Sequence, residues 1–374
     1  MQMENREKLD RKKLEKKEHD ELAPYAFLSE DSKGRIDNPD ETESKHRPKF
    51  LKDKDRILWS KSFRKLSYKT QVFIFRTGDF QRTRLTHTLE VESLSSQLAM
   101  ALQLNQYLTS AIGLGHDIGH APFGHSGERI LNEKVKSGFK HNEQSVEISR
   151  KYELREKWGS EEPFFGLNLS WEVLEGILKH TKIQNIKNYS EFNPNKPATL
   201  EGQVVNCADE IAQISSDIDD AINLKIIKGE DVNKLHKELF GKSEISRPSV
   251  FIHDLITNSR KNLDGIKRDD LDSFDYDLIT FSDSYKEKKD KIEEFCGINI
   301  FDNPQVMRTD NKGDLIISKL FDTFKDKMGL LPISERIWLD DGLDDEIIIK
   351  NYITNLTDKS ALEEYDRLFL PYRE

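Results

Sequence analysis

Four of the ten histidines of the chain lie between positions 116 and 141, together with an aspartate and a glutamate. A single histidine is usually an ordinary core residue, whereas clustered imidazoles beside a carboxylate are typical of a metal site. Magnesium, manganese, iron and zinc all accept such ligands, so the residue types alone do not choose the ion. The cluster consists of His116, Asp117, His120, His125, Glu128 and His141.

The spacing within this cluster indicates that several of its side chains converge. His116 and Asp117 are adjacent, so on a helix they point about 100° apart and can both reach one ion. His120 follows about one turn after His116, on the same face. Four glycines lie among these residues, at positions 113, 115, 119 and 124, and allow close approach of backbone or ligand. The sequence therefore predicts a divalent metal centre in this segment.

The elements that must position the cluster are predicted to be mainly α-helical. A leucine stripe with helical spacing predicts a helix over about 83–102, and a second helix begins at 105–109 and ends near the glycine and proline at 119–122. The β-prone run Gln71–Phe75 predicts a short strand, and a second small β element is expected near Ile298. Further helices are predicted from residue 52 and over 127–135, 141–152, 171–180, 200–215, 218–227, 251–261, 290–295, 314–327 and 345–355.

Composition narrows the class of protein. The formal net charge of −10 argues against nucleic-acid binding over the whole surface, and an anionic substrate would need a metal ion or a local group of cations. We expect a cytoplasmic protein without a membrane segment, because no long apolar run or signal peptide is visible. Cys207 and Cys296 are expected to be reduced thiols. The absence of a P-loop motif argues against a P-loop ATPase.

Several long motifs resemble the HD-domain phosphohydrolases, and among them the deoxyguanosine triphosphate triphosphohydrolases and related dNTPases. They are RTRLTHTLEV at 82–91, GHDIGHAPFGH at 115–125, GLNLSWEV at 166–173, GILKH at 176–180 and ADEIA at 208–212. The resemblance covers about 47–221 and returns weakly at 351–358. It implies a mainly α fold, an HD-type helical bundle with small β elements. Residues 1–46 would form a charged arm or loop, 47–230 the phosphohydrolase core, and 231–374 a divergent helical lobe packed on the core.

The resemblance also assigns roles to residues of this chain. The metal ion, expected to be manganese, magnesium or iron rather than zinc, would be held by His87, His116, Asp117 and Asp209. Arg84 would clamp a phosphate, for which a guanidinium is suited. His125 would be the acid–base group with Glu128 as its orienting partner, and His120 and His141 would lie on the phosphate side.

A deoxyribose would be recognised by three residues in this resemblance. Gln71 and Val72 match a pair that contacts the sugar, and Asp217 matches a residue that contacts its 3′-hydroxyl. Gln213 departs from the family, because many relatives carry a tyrosine there, under the sugar ring. This departure leaves the selectivity for deoxyribose open.

The expected reaction is metal-dependent hydrolysis of dGTP, or of several deoxynucleoside triphosphates, to deoxynucleoside and inorganic triphosphate. Two alternatives remain at this point: an HD phosphohydrolase acting on another nucleotide phosphate ester, or a regulatory HD protein that binds nucleotide or DNA. The resemblance further implies a homo-oligomer, a tetramer or hexamer, and activation by a nucleotide or by single-stranded nucleic acid. The sequence does not name the preferred base.

Overall fold

The computed structural model describes residues 10–74, 80–155, 164–181, 189–192, 196–241, 247–340 and 342–371. The described chain is mainly helical, which confirms the predicted fold class. Its first half contains α1 (Arg11–Glu21), α2 (Lys49–Leu58), α3 (Lys61–Lys65), α4 (Arg84–Ala101), α5 (Gln106–Gly115), α6 (Gly124–Lys134), α7 (His141–Glu147) and α8 (Trp171–Leu178). One antiparallel pair, β1 (Leu154–Arg155) with β2 (Phe164–Phe165), is the small β element that the structure describes.

The second half continues with helices of very different lengths. These are α9 (Leu200–Asn223), α10 (Gly229–Phe240), α11 (Arg247–Asn262), α12 (Asp283–Cys296), α13 (Pro304–Asp326), α14 (Ile333–Asp340), α15 (Asp345–Asn355) and α16 (Asp358–Phe369). No described helix has both the length and the apolar character needed to cross a membrane.

Side-chain caps fix the start of α4, which carries His87, and of α5, which ends beside His116. The Thr83 hydroxyl accepts from the Thr86 backbone N–H at 3.1 Å, and Thr86 Oγ1 accepts from the Thr83 N–H at 2.8 Å. These reciprocal bonds satisfy backbone donors at the first turn of α4 that have no partner within the helix. Asn105 caps α5 through its Oδ1, which accepts from the backbone N–H groups of Tyr107 and Leu108. The first turn of α4, which carries Arg84 and His87, is therefore firmly placed.

Two hydrophobic cores meet at the histidine cluster. The larger core gathers buried residues of α2, α4, α5, α8 and α9, and residues of α11 and α12 such as Leu255 and Ile292 join it. The smaller core joins α6 to the C-terminal helices α13, α15 and α16. Ile118 belongs to the larger core, whereas Ala121 and Phe123 belong to the smaller one. The segment with the clustered histidines therefore passes from one core to the other.

Three predicted elements differ from the structure. The strand predicted over Gln71–Phe75 is wrong for the described part, 71–74. Thr70 forms one isolated antiparallel bridge with Thr83, and the neighbouring backbone groups otherwise bind the side chains of Arg84 and Asp358; Phe75 lies outside the described residues. The β element near Ile298 is also wrong, since 297–301 extends α12 as a helical turn. The predicted break between 215 and 218 is absent: α9 is continuous there, and its buried face continues through Ile218.

The charged N-terminal segment, for which the sequence predicts an arm or loop, contains helix α1. Helix α1 is capped by Asp10, whose side chain accepts from the Lys13 N–H at 3.0 Å. Glu18 is buried and accepts from the backbone N–H of Ser29 at 2.6 Å and from its hydroxyl at 2.7 Å. These bonds satisfy a carboxylate that would otherwise be costly to bury.

Candidate active site

Asp117 lies at the centre of the site, and its two oxygens face different groups. Oδ2 accepts a hydrogen bond from Arg84 Nη1 at 2.7 Å and lies 3.4 Å from His116 Nε2. Oδ1 lies 3.6 Å from His120 Nε2 and 3.8 Å from His141 Nε2. Burial opposes ionisation, but the adjacent His116 and Arg84 charges hold the pKa of Asp117 well below its usual range. The ionised carboxylate therefore joins the two halves of the cluster.

His116 presents a nitrogen that has no hydrogen-bond partner among the residues that the structure describes. Its Nδ1 donates to the carbonyl of Gly113 at 2.7 Å, which leaves Nε2 as the nitrogen that faces the carboxylates. That Nε2 is buried, unpartnered and 4.0 Å from Asp209 Oδ1. Burial lowers the pKa of His116, but Asp117 and Asp209 outweigh it and raise the pKa to about 9. A site that favours a cation between two carboxylates fits a divalent metal ion.

His87 and Asp209 complete the set of predicted ligands. His87 Nε2, on α4, lies 2.9 Å from Asp209 Oδ1, on α9. His87, His116 and Asp117 each offer a ligand atom, and these atoms lie within 4.8 Å of one another. Burial raises the pKa of Asp209, but the hydrogen bond from His87 and the charge of His116 lower it to about 2. The structure thus brings all four residues together.

Arg84 is buried and already holds three acceptors. Besides Asp117, its guanidinium donates from Nε to the carbonyl of Thr70 at 3.2 Å and from Nη2 to the carbonyl of Gln71 at 3.3 Å. A guanidinium has five N–H groups, so two remain for an incoming oxyanion. The residue can therefore both orient Asp117 and contact a phosphate.

Glu128 orients His141, whereas the sequence suggested His125. The Glu128 carboxylate accepts from His141 Nδ1 at 2.9 and 3.0 Å, and also from the His141 backbone N–H at 3.0 Å. Burial raises the pKa of Glu128, but His141 lowers it to about 2. The same contact raises the pKa of His141 against the opposing effect of its burial. Glu128 therefore stabilises an imidazolium at position 141.

His180 belongs to the cluster, although sequence reasoning did not single it out. Its Nδ1 donates to the carbonyl of Ile177 at 2.8 Å, and its Nε2 lies 3.0 Å from His141 Nε2. Burial and the nearby His116 lower the pKa of His180 to about 3, so its Nε2 is suited to accept a hydrogen bond from His141 Nε2. The available signal was its place at the end of the motif at 176–180. Two further groups with metal-site geometry include His141: Asp117 with His141 and His180, and His120 with Glu128 and His141.

His120 and His125 extend the cluster towards solvent. The His120 ring stacks on the His141 ring, with centroids 4.0 Å apart and planes at 17°. The His125 ring lies edge-on to His120 at 6.4 Å between centroids. His125 is exposed whereas His120 is buried. An entering ligand would therefore meet His125 first.

The residues expected at a sugar lie around the same site. Gln71 is buried and its Oε1 has no hydrogen-bond partner, while Val72 is half-buried beside the larger core. Asp217 is buried on α9, about two turns after Asp209. Burial and the neighbouring Asp220 raise the pKa of Asp217 to about 8, against the charge of Arg84. Gln213, between the two aspartates on α9, is half-buried.

Comparison with known proteins agrees with this geometry. The HD domain family matches residues 84–214, and the phosphohydrolase-associated domain matches residues 279–367. A deoxyguanosinetriphosphate triphosphohydrolase-like protein of Caldanaerobacter subterraneus subsp. tengcongensis is 39% identical over 357 residues, 96% of this chain and 95% of that protein.

Proteins with the same description in Geobacter sulfurreducens and Clostridium perfringens strain SM101 are each 37% identical. The alignments cover 95% and 96% of this chain, and 97% and 98% of those proteins. The HD domain family consists of metal-dependent phosphohydrolases, and the structure contains His and Asp clusters suited to a metal ion. The chain therefore belongs to the HD-domain family of deoxyguanosinetriphosphate triphosphohydrolase-like proteins.

Proposed function

We propose that this protein hydrolyses deoxynucleoside triphosphates, dGTP or several of them, at the α-phosphorus and releases deoxynucleoside and inorganic triphosphate. The observation that carries the proposal is the convergence on Asp117 of two ligand histidines, a second group of histidines and the Arg84 guanidinium. The description of the relatives names the same class of reaction.

The metal ligands in this proposal are His87, His116, Asp117 and Asp209, with manganese, magnesium or iron as the ion. The unpartnered Nε2 of His116, between the two carboxylates, supports this set. A divalent ion held there would activate a water molecule and neutralise charge on phosphoryl oxygens. Those residues supply two carboxylates and two imidazoles, a mixed set that suits these ions.

The positive groups around Asp117 would bind the phosphate chain. Arg84 has two N–H groups beyond its three present acceptors, and a guanidinium pairs well with a phosphate. The His141 imidazolium, stabilised by Glu128, adds a second charged donor, and the stacked His120 lies beside it. These cations offset the repulsion that a chain of net charge −10 would otherwise offer to a triphosphate.

His125 would protonate the departing 5′-oxygen. Its side chain is exposed, so an entering substrate can reach it, and its ring lies near that of His120. A sugar alkoxide is a poor leaving group, so a positioned acid contributes strongly to the rate. Gln71, Val72 and Asp217 would contact the sugar, and the protonated carboxyl of Asp217 can donate a hydrogen bond to a hydroxyl. Gln213 would lie near the sugar in place of an aromatic ring.

Product analysis tests the proposal directly. The purified protein would be incubated with each of the four dNTPs and with GTP, in Mn²⁺, Mg²⁺ or Fe²⁺, with and without a second nucleotide or single-stranded DNA. Triphosphate and deoxynucleoside in equal amounts support the proposal. Phosphate or diphosphate as the first product would show that a different phosphate bond is cleaved. The absence of any product from all of these nucleotides, with each of the three metal ions, contradicts the proposal.

A pure binding protein is distinguished by the His125→Ala variant. A catalyst loses turnover in this variant but still binds dNTP, which can be measured by calorimetry with Ca²⁺ in place of the active metal. A regulatory protein would instead show no turnover in the wild type and unchanged binding in the variant. Cleavage of GTP as fast as dGTP would show that Gln213 leaves the site without deoxyribose selectivity.

A further inference from the structure

The side chain of Asp358, at the first turn of α16, joins two segments that are far apart in sequence. Its Oδ2 accepts from the Thr70 backbone N–H at 2.9 Å and also from the Thr70 hydroxyl. Its Oδ1 accepts from the backbone N–H of Phe123 at 2.9 Å. One carboxylate from the C-terminal helices is thus bonded to both segments, through three donors.

The Thr70 segment leads directly to Arg84. The carbonyl of Lys69 accepts from the Arg84 backbone N–H at 3.1 Å. The carbonyl of Thr70 accepts from Arg84 Nε at 3.2 Å, and that of Gln71 accepts from Arg84 Nη2 at 3.3 Å. The same guanidinium holds Asp117 Oδ2 at 2.7 Å. A shift of Thr70 would therefore be passed through Arg84 to Asp117.

The Phe123 segment leads directly to His125. Phe123 has a φ of 63° and Gly124 a φ of 58°, so two successive left-handed residues precede His125. This conformation is uncommon for an aromatic residue and persists only where the surroundings enforce it. The ring of Phe123 is buried, and a Cβ on Gly313 of α13 would lie only 3.1 Å from Phe123 Cβ. The turn is thus held by α13 on one side and by Asp358 at its backbone.

The two segments also touch each other. A Cβ on Gly124 would lie 3.2 Å from the carbonyl oxygen of Gln71 and 3.6 Å from Arg84 Nη2. A second link from the same region is provided by Lys69, whose ammonium donates to the carbonyls of His120 and, at 2.8 Å, of Thr354. Residues of α15 and α16 therefore contact both segments, the one that leads to Arg84 and the one that leads to His125.

We propose that Asp358 is a positioning residue of the active site, which fixes the spacing between His125 and the Arg84–Asp117 pair. This role rests on the proposed function, in which His125 protonates the leaving oxygen while Arg84 holds a phosphate. Asp358 acts through the backbones of Thr70 and Phe123 and does not touch the substrate. Displacement of a reacting group by about 1 Å can reduce turnover by about 100-fold, so such a residue has a large effect on rate.

Amide hydrogen exchange tests the positioning role without any requirement for activity. In Asp358→Asn the side chain retains one acceptor oxygen and turns an NH₂ group towards backbone donors, so one of the two segments loses its partner. Exchange should become faster in peptides containing Thr70 or Phe123 and stay unchanged in peptides from α5 and α9. Asp366→Asn, an exposed substitution on the same helix, is the control and should exchange like the wild type. Equal exchange in wild type and Asp358→Asn overturns the proposal.

Leaving-group dependence tests the effect on His125. Asp358→Asn should lower kcat for dNTP hydrolysis by about 10- to 100-fold. It should change hydrolysis of bis(4-nitrophenyl) phosphate by less than about threefold, because nitrophenolate leaves without protonation. A variant with wild-type kcat, or with equal losses on both substrates, overturns the positioning of His125. A wild type that makes no triphosphate overturns the proposed substrate, and the exchange result still decides the structural role.

Discussion

The carboxylate of Glu128 accepts two kinds of hydrogen bond from His141, one from its ring Nδ1 at 2.9 Å and one from its backbone N–H at 3.0 Å. Because both bonds come from His141, Glu128 holds the imidazole ring in position and also favours its protonated form. The pKa of His141 is raised by this carboxylate in spite of burial. Glu128 thus favours the protonated form of His141, whose ring lies beside Asp117 and His180.

Replacing Glu128 by Gln should shift the pH profile of the enzyme. Loss of the Glu128 carboxylate lowers the pKa of His141. Since the imidazolium exists only below that pKa, it is lost at a lower pH in the variant. The alkaline limb of kcat should move to lower pH, which a pH–rate profile measures directly. Glu133→Gln, an exposed change on the same helix, is the control. An alkaline limb at the wild-type position in Glu128→Gln would show that His141 does not carry this charge in the reaction.

The His180→Ala variant should show whether His180 orients His141 or binds the metal ion. His180→Ala deletes the acceptor of the His141 Nε2 proton, and we expect kcat to fall by about 10-fold. The affinity for Mn²⁺, measured by calorimetry, should change by less than about threefold. A loss of Mn²⁺ affinity beyond about 10-fold would instead assign His180 to the ion, in the group that it forms with Asp117 and His141.

Metal binding should stabilise the folded protein through Asp209. A ligand present at about 100 times its Kd stabilises a protein by about 2.7 kcal/mol, so Mn²⁺ should raise the melting temperature of the wild type measurably. Asp209→Asn should lose this rise, and treatment with a chelator should abolish turnover. Asp219→Asn, a partly exposed change on α9, should keep both responses. An equal Mn²⁺-dependent rise in Asp209→Asn would place the ion elsewhere.

The buried carboxyl of Asp217 should make stability depend on pH. Its pKa is raised to about 8 by burial and by Asp220, whereas an unfolded aspartate titrates near about 3.9. Between these values the folded state keeps a proton that the unfolded state has released. The stabilisation is complete below about pH 4 and is lost as the pH rises towards about 8, by up to about 1.4 kcal/mol per unit.

Thermal unfolding from pH 5 to pH 8 can measure this effect. Asp217→Asn carries no titrating group at this position, so wild-type stability should fall relative to the variant as the pH rises. Asp219→Asn, two residues further along α9, is the matched control. Parallel pH curves for wild type and Asp217→Asn would mean that Asp217 is ionised in the folded protein.

The part of the site that lies in short motifs was predictable from sequence. Within one helical turn the chain geometry is known in advance, so His116, Asp117 and His120 were expected to converge, and the structure brings them together. The motif resemblance added His87 and Asp209, which lie 2.9 Å apart although 122 positions separate them. The helices with strong apolar periodicity, such as α4 and α15, were predicted within a few residues.

Contacts between distant segments were not predictable in this way. Glu128 stands three residues from His125, yet its bonds go to His141, because the turn of α6 directs it towards the start of α7. His180 looked like the end of a helix until the fold placed it 3.0 Å from His141. The run from Gln71 has β propensity, but a strand also needs a neighbour, and side chains take that place.

The segment with the clustered histidines packs against two hydrophobic cores, and this has a consequence for truncated forms of the chain. A fragment that stops after α9 would keep every proposed metal ligand but would expose Phe123 and leave the backbone donors of Thr70 and Phe123 to water. We expect such a fragment to bind metal weakly and to aggregate through its uncovered apolar face. Insertions or deletions in the loops before α13 should, in contrast, be tolerated, provided that α13, α15 and α16 keep the same contacts.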